Sequence, residues 1–72
     1  MTFVGGYELA EYDGLWFLSD KDGRVVSTII DMGGGRWRAR TPDGRARTFE
    51  PGTVPADVRD VPRWIAEQIT AS

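Results

Sequence analysis

Two stretches decide the fold: GLWFLSDKDGRVVSTI (residues 14–29) and GRWRARTPDGRARTFE (residues 35–50). They align without a gap at an offset of 21 residues. Gly14 meets Gly35, Trp16 meets Trp37, and Asp22-Gly23-Arg24 meets Asp43-Gly44-Arg45. Each copy reads as strand, tight turn, strand, because Asp-Gly between strand-forming residues is a strong local hairpin signal. In Thr41-Pro42-Asp43-Gly44, proline fits the first central position of a type I turn. Glycine fits the left-handed position of the bulge that follows. This turn predicts Trp37 across from Phe49, and Ala39 across from Arg47.

The copies differ in what their faces carry. In residues 14–30, Leu15 and Phe17 point one way and Trp16 and Leu18 the other. Val25, Val26, Ile29 and Ile30 continue the two-sided apolar pattern, so this hairpin is expected to be buried on both faces or central in a curled sheet. In residues 35–50, Trp37 and Ala39 share one side, and Arg36, Arg38 and Arg40 share the other, because strand side chains alternate.

Around the repeat, residues 7–12 read as an edge strand, with Glu8 and Glu11 discouraging unwanted pairing. Gly33-Gly34-Gly35 reads as a flexible connection between the hairpins. Residues 51–60 are broken by Pro51, Gly52 and Pro55. Val61, Trp64, Ile65 and Ile69 recur at helical spacing, which predicts a helix over 61–70 with Asp60 as its cap and Pro62 in its first turn. The expected fold is mainly β with one C-terminal helix: a single α+β domain. Its core is a curled antiparallel sheet of about five strands from two tandem hairpins, with a small SH3-like barrel as the closed form.

Composition narrows the chemistry. The 72 residues contain no cysteine and no histidine, which excludes disulfides and thiolate metal sites and removes the commonest general base. Asp20-Lys21-Asp22-Gly23 matches only the opening of a calcium loop and lacks its later oxygen ligands. The glycine run is followed by no Lys-Ser or Lys-Thr, so it is not a phosphate loop. These observations predict a non-enzymatic protein with no cofactor and no metal. The apolar run 15–18 is too short to span a membrane, and residues 1–14 lack a signal-peptide pattern, so a cytoplasmic location is expected.

Charge is polarised along the chain. Residues 1–23 carry Glu8, Glu11, Asp13, Asp20 and Asp22 against Lys21. Residues 36–47 carry Arg36, Arg38, Arg40, Arg45 and Arg47 against Asp43, within a chain of net charge −2. These five arginines are the candidate binding residues. Spaced guanidinium groups on a strand suit carboxylates or phosphates. The expected role is a small regulatory binding module that docks an acidic protein partner through the arginine-bearing hairpin. Net negative charge argues against the long-range attraction that drives non-specific nucleic-acid binding. Self-association is a variant, the acidic region of one copy meeting the basic hairpin of another.

Residues 33–64 resemble the AP2-like arm-binding domain at the N-terminus of phage tyrosine-recombinase integrases. The resemblance is carried by Gly35, Trp37, Ala39, Arg40, Asp43, Gly44, Arg45, Arg47, Phe49 and Trp64. It implies a three-stranded sheet laid in the DNA major groove and backed by one helix, and a phage-derived protein. The chain departs from that pattern in its shorter hairpin loop, its proline-rich stretch before the helix and its net acidity. DNA or RNA binding of this type is the first alternative. A structural component of a larger assembly is the second.

Overall fold

The computed structural model describes residues 2–52 and 57–71. Six strands follow in chain order: β1 (Thr2–Val4), β2 (Tyr7–Tyr12), β3 (Leu15–Ser19), β4 (Val25–Gly33), β5 (Arg36–Arg40) and β6 (Ala46–Phe49). Each pairs antiparallel with its chain neighbour, in the spatial order β1-β2-β3-β4-β5-β6. A short 3-10 turn, Val58–Asp60, leads into helix α1 (Val61–Thr70). The fold is therefore mainly β with one C-terminal helix, as the sequence predicts.

Turn chemistry explains the meander. Gly5-Gly6, Asp13-Gly14 and Gly34-Gly35 each place two consecutive residues at positive φ between directly paired strand ends. That is the two-residue turn whose twist matches antiparallel strands. The other two turns are the repeated ones, and they share one architecture. Gly23 N–H donates to Asp20 O at 3.0 Å and Gly44 N–H to Thr41 O at 2.9 Å. Asp20 N–H donates to Arg24 O at 2.9 Å and Thr41 N–H to Arg45 O at 2.7 Å. The side chain at the turn's start completes each. Asp20 Oδ1 accepts from Arg24 N–H, and Thr41 Oγ1 accepts from Arg45 N–H, both at 2.9 Å.

The predicted register holds: Trp37 pairs with Phe49 and Ala39 with Arg47. Other expectations are corrected. Among the described residues the strands number six, because β1 precedes residues 7–12. That segment, β2, is therefore interior, and the edges are β1 and β6. The sheet is open rather than a barrel, since neither edge strand meets the other. The glycine run is no loose connection. Gly33 pairs with Arg36 across the Gly34-Gly35 turn, which makes β4 and β5 a hairpin of their own. Residues 53–56, within the proline-rich connection expected at 51–60, lie outside the described residues.

One face of the sheet builds the core. Register places Leu9, Leu18 and Ser27 in one row across it and Trp16, Ile29 and Ala39 in another. Helix α1 covers this face with Val61, Pro62, Ile65, Ala66 and Ile69, all buried. Leu18, Ile29 and Ile65 are completely buried. Trp64 is half-buried and meets Phe49 edge-to-face, with ring centroids 5.8 Å apart. Asp60 occupies the helix N-cap position but makes no capping hydrogen bond. The capping carboxylate is Asp57, which accepts from Arg59 N–H one turn earlier. At the other end, Thr70 packs against Gly5, so the helix reaches the β1–β2 turn.

A candidate binding face

Among the described residues, no helix lies on the opposite face of the sheet. Alternation brings Ala10, Phe17 and Thr28 into one row there, and Ile30, Arg38 and Thr48 into another. The apolar part of this face is only partly shielded. Phe17 and Ile30 are half-buried, while Tyr12 is 75% and Met32 56% exposed. Residues 14–30 are central in the sheet, one of the two placements expected from their two-sided pattern, but their outer face stays uncovered.

Along β5 this face carries Arg36, Arg38 and Arg40, all exposed. Same-face neighbours on a strand stand about 7 Å apart, so the three guanidinium groups form a row. Arg36 Nε lies 3.2 Å from Glu50 Oε1. Arg40 donates to the Gly44 carbonyl at 2.9 Å. Arg38, in the middle, has no carboxylate within 4 Å among the described residues. Depressions of about 600 and 390 Å³ flank the row, the larger between Met32, Gly34, Arg36, Arg38 and Thr48.

Arg45 and Arg47 do not join this row. Arg47 pairs with Ala39, a core position, and so lies on the helix side of the sheet. It remains exposed there, its guanidinium carbon 4.8 Å from the centre of the Phe49 ring. This cation–π placement lets a charged side chain cover the rim of the core. Arg45 sits at the turn with Nε 3.4 Å from Asp43 Oδ2. The hydrogen bond donated by Thr41 Oγ1, and then the Arg45 charge, hold the Asp43 carboxyl below the usual aspartate range. Arg45 and Arg47 border a depression of about 490 Å³ beside Tyr7, Gln68 and Thr70.

The five candidate arginines thus divide three and two between opposite sides of the sheet. The division was implicit in the predicted register, since Arg47 opposite Ala39 must share its side. The partly exposed state of Phe17 and Ile30 was not legible because two-sided hydrophobicity reads as burial, and Met32 lies outside residues 14–30, which carry that pattern. No described helix is long and apolar enough to cross a membrane. Neither a protein-family model, nor a curated protein, nor a solved structure matches this chain.

Proposed function

We propose that this protein is a non-enzymatic binding module that docks an acidic protein partner on the helix-free face of its sheet. The observation that carries the reading is the pairing of an uncovered apolar strip, Phe17 and Ile30, with the arginine row beside it. Apolar contact gives such a face its affinity, and guanidinium groups give it orientation and partner choice. A row whose central cation, Arg38, has no carboxylate within 4 Å among the described residues suits carboxylates presented by an extended or flat surface. A cytoplasmic setting goes with this reading.

A second reading is favoured by one feature. The arginine row and the helix lie on opposite sides of the sheet, the arrangement that the resemblance to integrase arm-binding domains implies. That reading makes the same face a DNA-contacting surface. A role within a larger assembly would use the exposed Tyr12 and Met32 as contact points.

The test is an amide-shift titration of the labelled protein at low and moderate salt. One probe is a ten-residue peptide of alternating glutamate and valine. The other is a random-sequence DNA duplex. Peptide-induced shifts over β3, β4 and β5 that shrink with salt support protein docking. Shifts with the duplex alone would overturn it in favour of nucleic-acid binding.

A further inference from the structure

Both of the chain's sheet edges are open among the described residues, but they differ in chemistry. β1 offers three residues, Thr2–Val4, with no charge. β6 offers Ala46, Arg47 and Thr48, all exposed, followed by the buried Phe49. The hydrogen-bond phase of β6 follows from its turn. Thr41 N–H donates to Arg45 O, so Thr41 and Arg45 form a bonded pair. Bonded and non-bonded pairs alternate in an antiparallel ladder. Ala39–Arg47 is then bonded, and Arg40–Ala46 and Arg38–Thr48 are not. The amide and carbonyl groups of Ala46 and Thr48 therefore point away from β5, toward the open edge.

An open edge is a template for another strand, and natural proteins restrict it with charge. Here the restriction has a sign. Arg47 stands at the centre of the β6 edge with no carboxylate within 4 Å among the described residues. On the other face, Ala46 and Thr48 are small, and behind them stand Arg40 and Arg38. A strand laid along β6 would meet a cation directly opposite on one face and two more reaching over short side chains on the other. A second copy fits this edge poorly. Its own β6 sets arginine against arginine in the register centred on Arg47, and its β1 brings no carboxylate. A strand that alternates carboxylates with apolar residues fits in the register that sets a carboxylate opposite Arg47 and lays its apolar residues over Ala46 and Thr48 on the other face.

Resting on the docking reading above, we propose that the partner's acidic segment binds as an added seventh strand along β6. Main-chain bonds to Ala46 and Thr48 give it affinity. A carboxylate opposite Arg47 gives it selectivity. That position is non-bonded with respect to the incoming strand, where facing side chains lie closest.

The test uses the intact protein, the same glutamate–valine peptide, and amide hydrogen exchange read residue by residue. Strand addition slows exchange at Ala46 and Thr48, whose amides face the edge, and leaves the already bonded Arg47 amide nearly unchanged. Arg47→Gln weakens peptide binding about tenfold, the scale of one charge-assisted hydrogen bond. A peptide that alternates lysine and valine gives no protection. If the glutamate–valine peptide shifts β3–β5 resonances yet leaves the Ala46 and Thr48 amides exchanging freely, strand addition is refuted and face docking stands. If it shifts nothing, both fall. Concentration-dependent protection of the same amides without peptide would mean that a second copy occupies the edge, and would also overturn the proposal.

Discussion

Replacing Gly5 by alanine separates backbone strain from tertiary contact at one position. Gly5 has φ +56°, and a β-carbon built there falls 2.7 Å from Thr70 Oγ1 and 3.0 Å from Thr70 Cβ. Thr70 cannot withdraw without cost, because its hydroxyl donates to the Ala66 carbonyl at 2.7 Å. The backbone alone tolerates a side chain at such a site. Asp13 holds the equivalent first position of the next two-residue turn, with φ +55°. Gly6 is the natural control, since it has φ +86° and nothing within 4 Å of a built β-carbon. A left-handed residue with a side chain costs about 1–2 kcal/mol, which is the whole expected effect of Gly6→Ala. Gly5→Ala adds an overpacking cost of about 1–3 kcal/mol, for a total of about 2–5 kcal/mol. A domain of this length has about 4–11 kcal/mol to lose, so the variant remains measurable or becomes visibly marginal. Urea unfolding followed by tryptophan fluorescence gives both values, provided the denaturant slope is unchanged. In the double variant Gly5→Ala/Thr70→Ala, loss of the hydroxyl returns about 1 kcal/mol as coupling between contacting sites. Equal costs at Gly5 and Gly6, with no coupling to Thr70, would show that the helix end does not rest on the β1–β2 turn.

Ile65→Ala empties a fully buried helix position and should cost about 2–5 kcal/mol by urea unfolding. Replacing Arg36, Arg38 and Arg40 together by glutamine should change stability by only about 0.5 kcal/mol per site, since exposed substitutions away from packing are mild, while removing peptide binding in the shift titration. Thr41→Val deletes the largest cause of the depressed Asp43 pKa, the hydrogen bond from Thr41 Oγ1. The Asp43 titration midpoint, followed by carboxylate NMR, should rise. A carboxyl with a lowered folded pKa contributes stability above its unfolded pKa of about 4 and loses it as pH falls through the folded value. The variant should therefore show a weaker loss of stability across that acidic window. An unchanged midpoint would refute the assignment.

Local features of this fold were legible because their causes are local. The offset between Trp16 and Trp37 located both repeated hairpins, and Pro42 with Gly44 fixed the register that aligns Trp37 with Phe49. The helix bounds followed from the spacing of Val61, Ile65 and Ile69. β1 was not legible, because three residues are too few to show a period and Gly5-Gly6 gave no flanking pattern on its N-terminal side. Gly34-Gly35 was misread as slack because glycine is equally consistent with a loose linker and a tight left-handed turn. Closure was undecidable because it depends on stagger accumulated over all strands. One irregularity lies between Leu18 and Ser19, where Ser27 and Val25 are their successive partners and Val26 is skipped. At the candidate face, alternation revealed the Arg36–Arg38–Arg40 row. The uncovered state of Phe17 and Ile30 depended on where a single helix chose to lie.

The strictly sequential strand order shapes how the chain finds its structure. Each strand's partner is the next one made, so sheet formation needs only the closure of short loops, and low contact order favours rapid folding. Helix α1 is different, because its contact with β1 joins opposite ends of the chain. That closure gains from a sheet already formed, which makes it a late event. Contacts made late govern how fast a protein comes apart more than how fast it assembles. The junction of Gly5 and Thr70 thus acts as a clasp on the finished molecule, and loosening it should shorten the lifetime of the native state while leaving the speed of folding almost untouched.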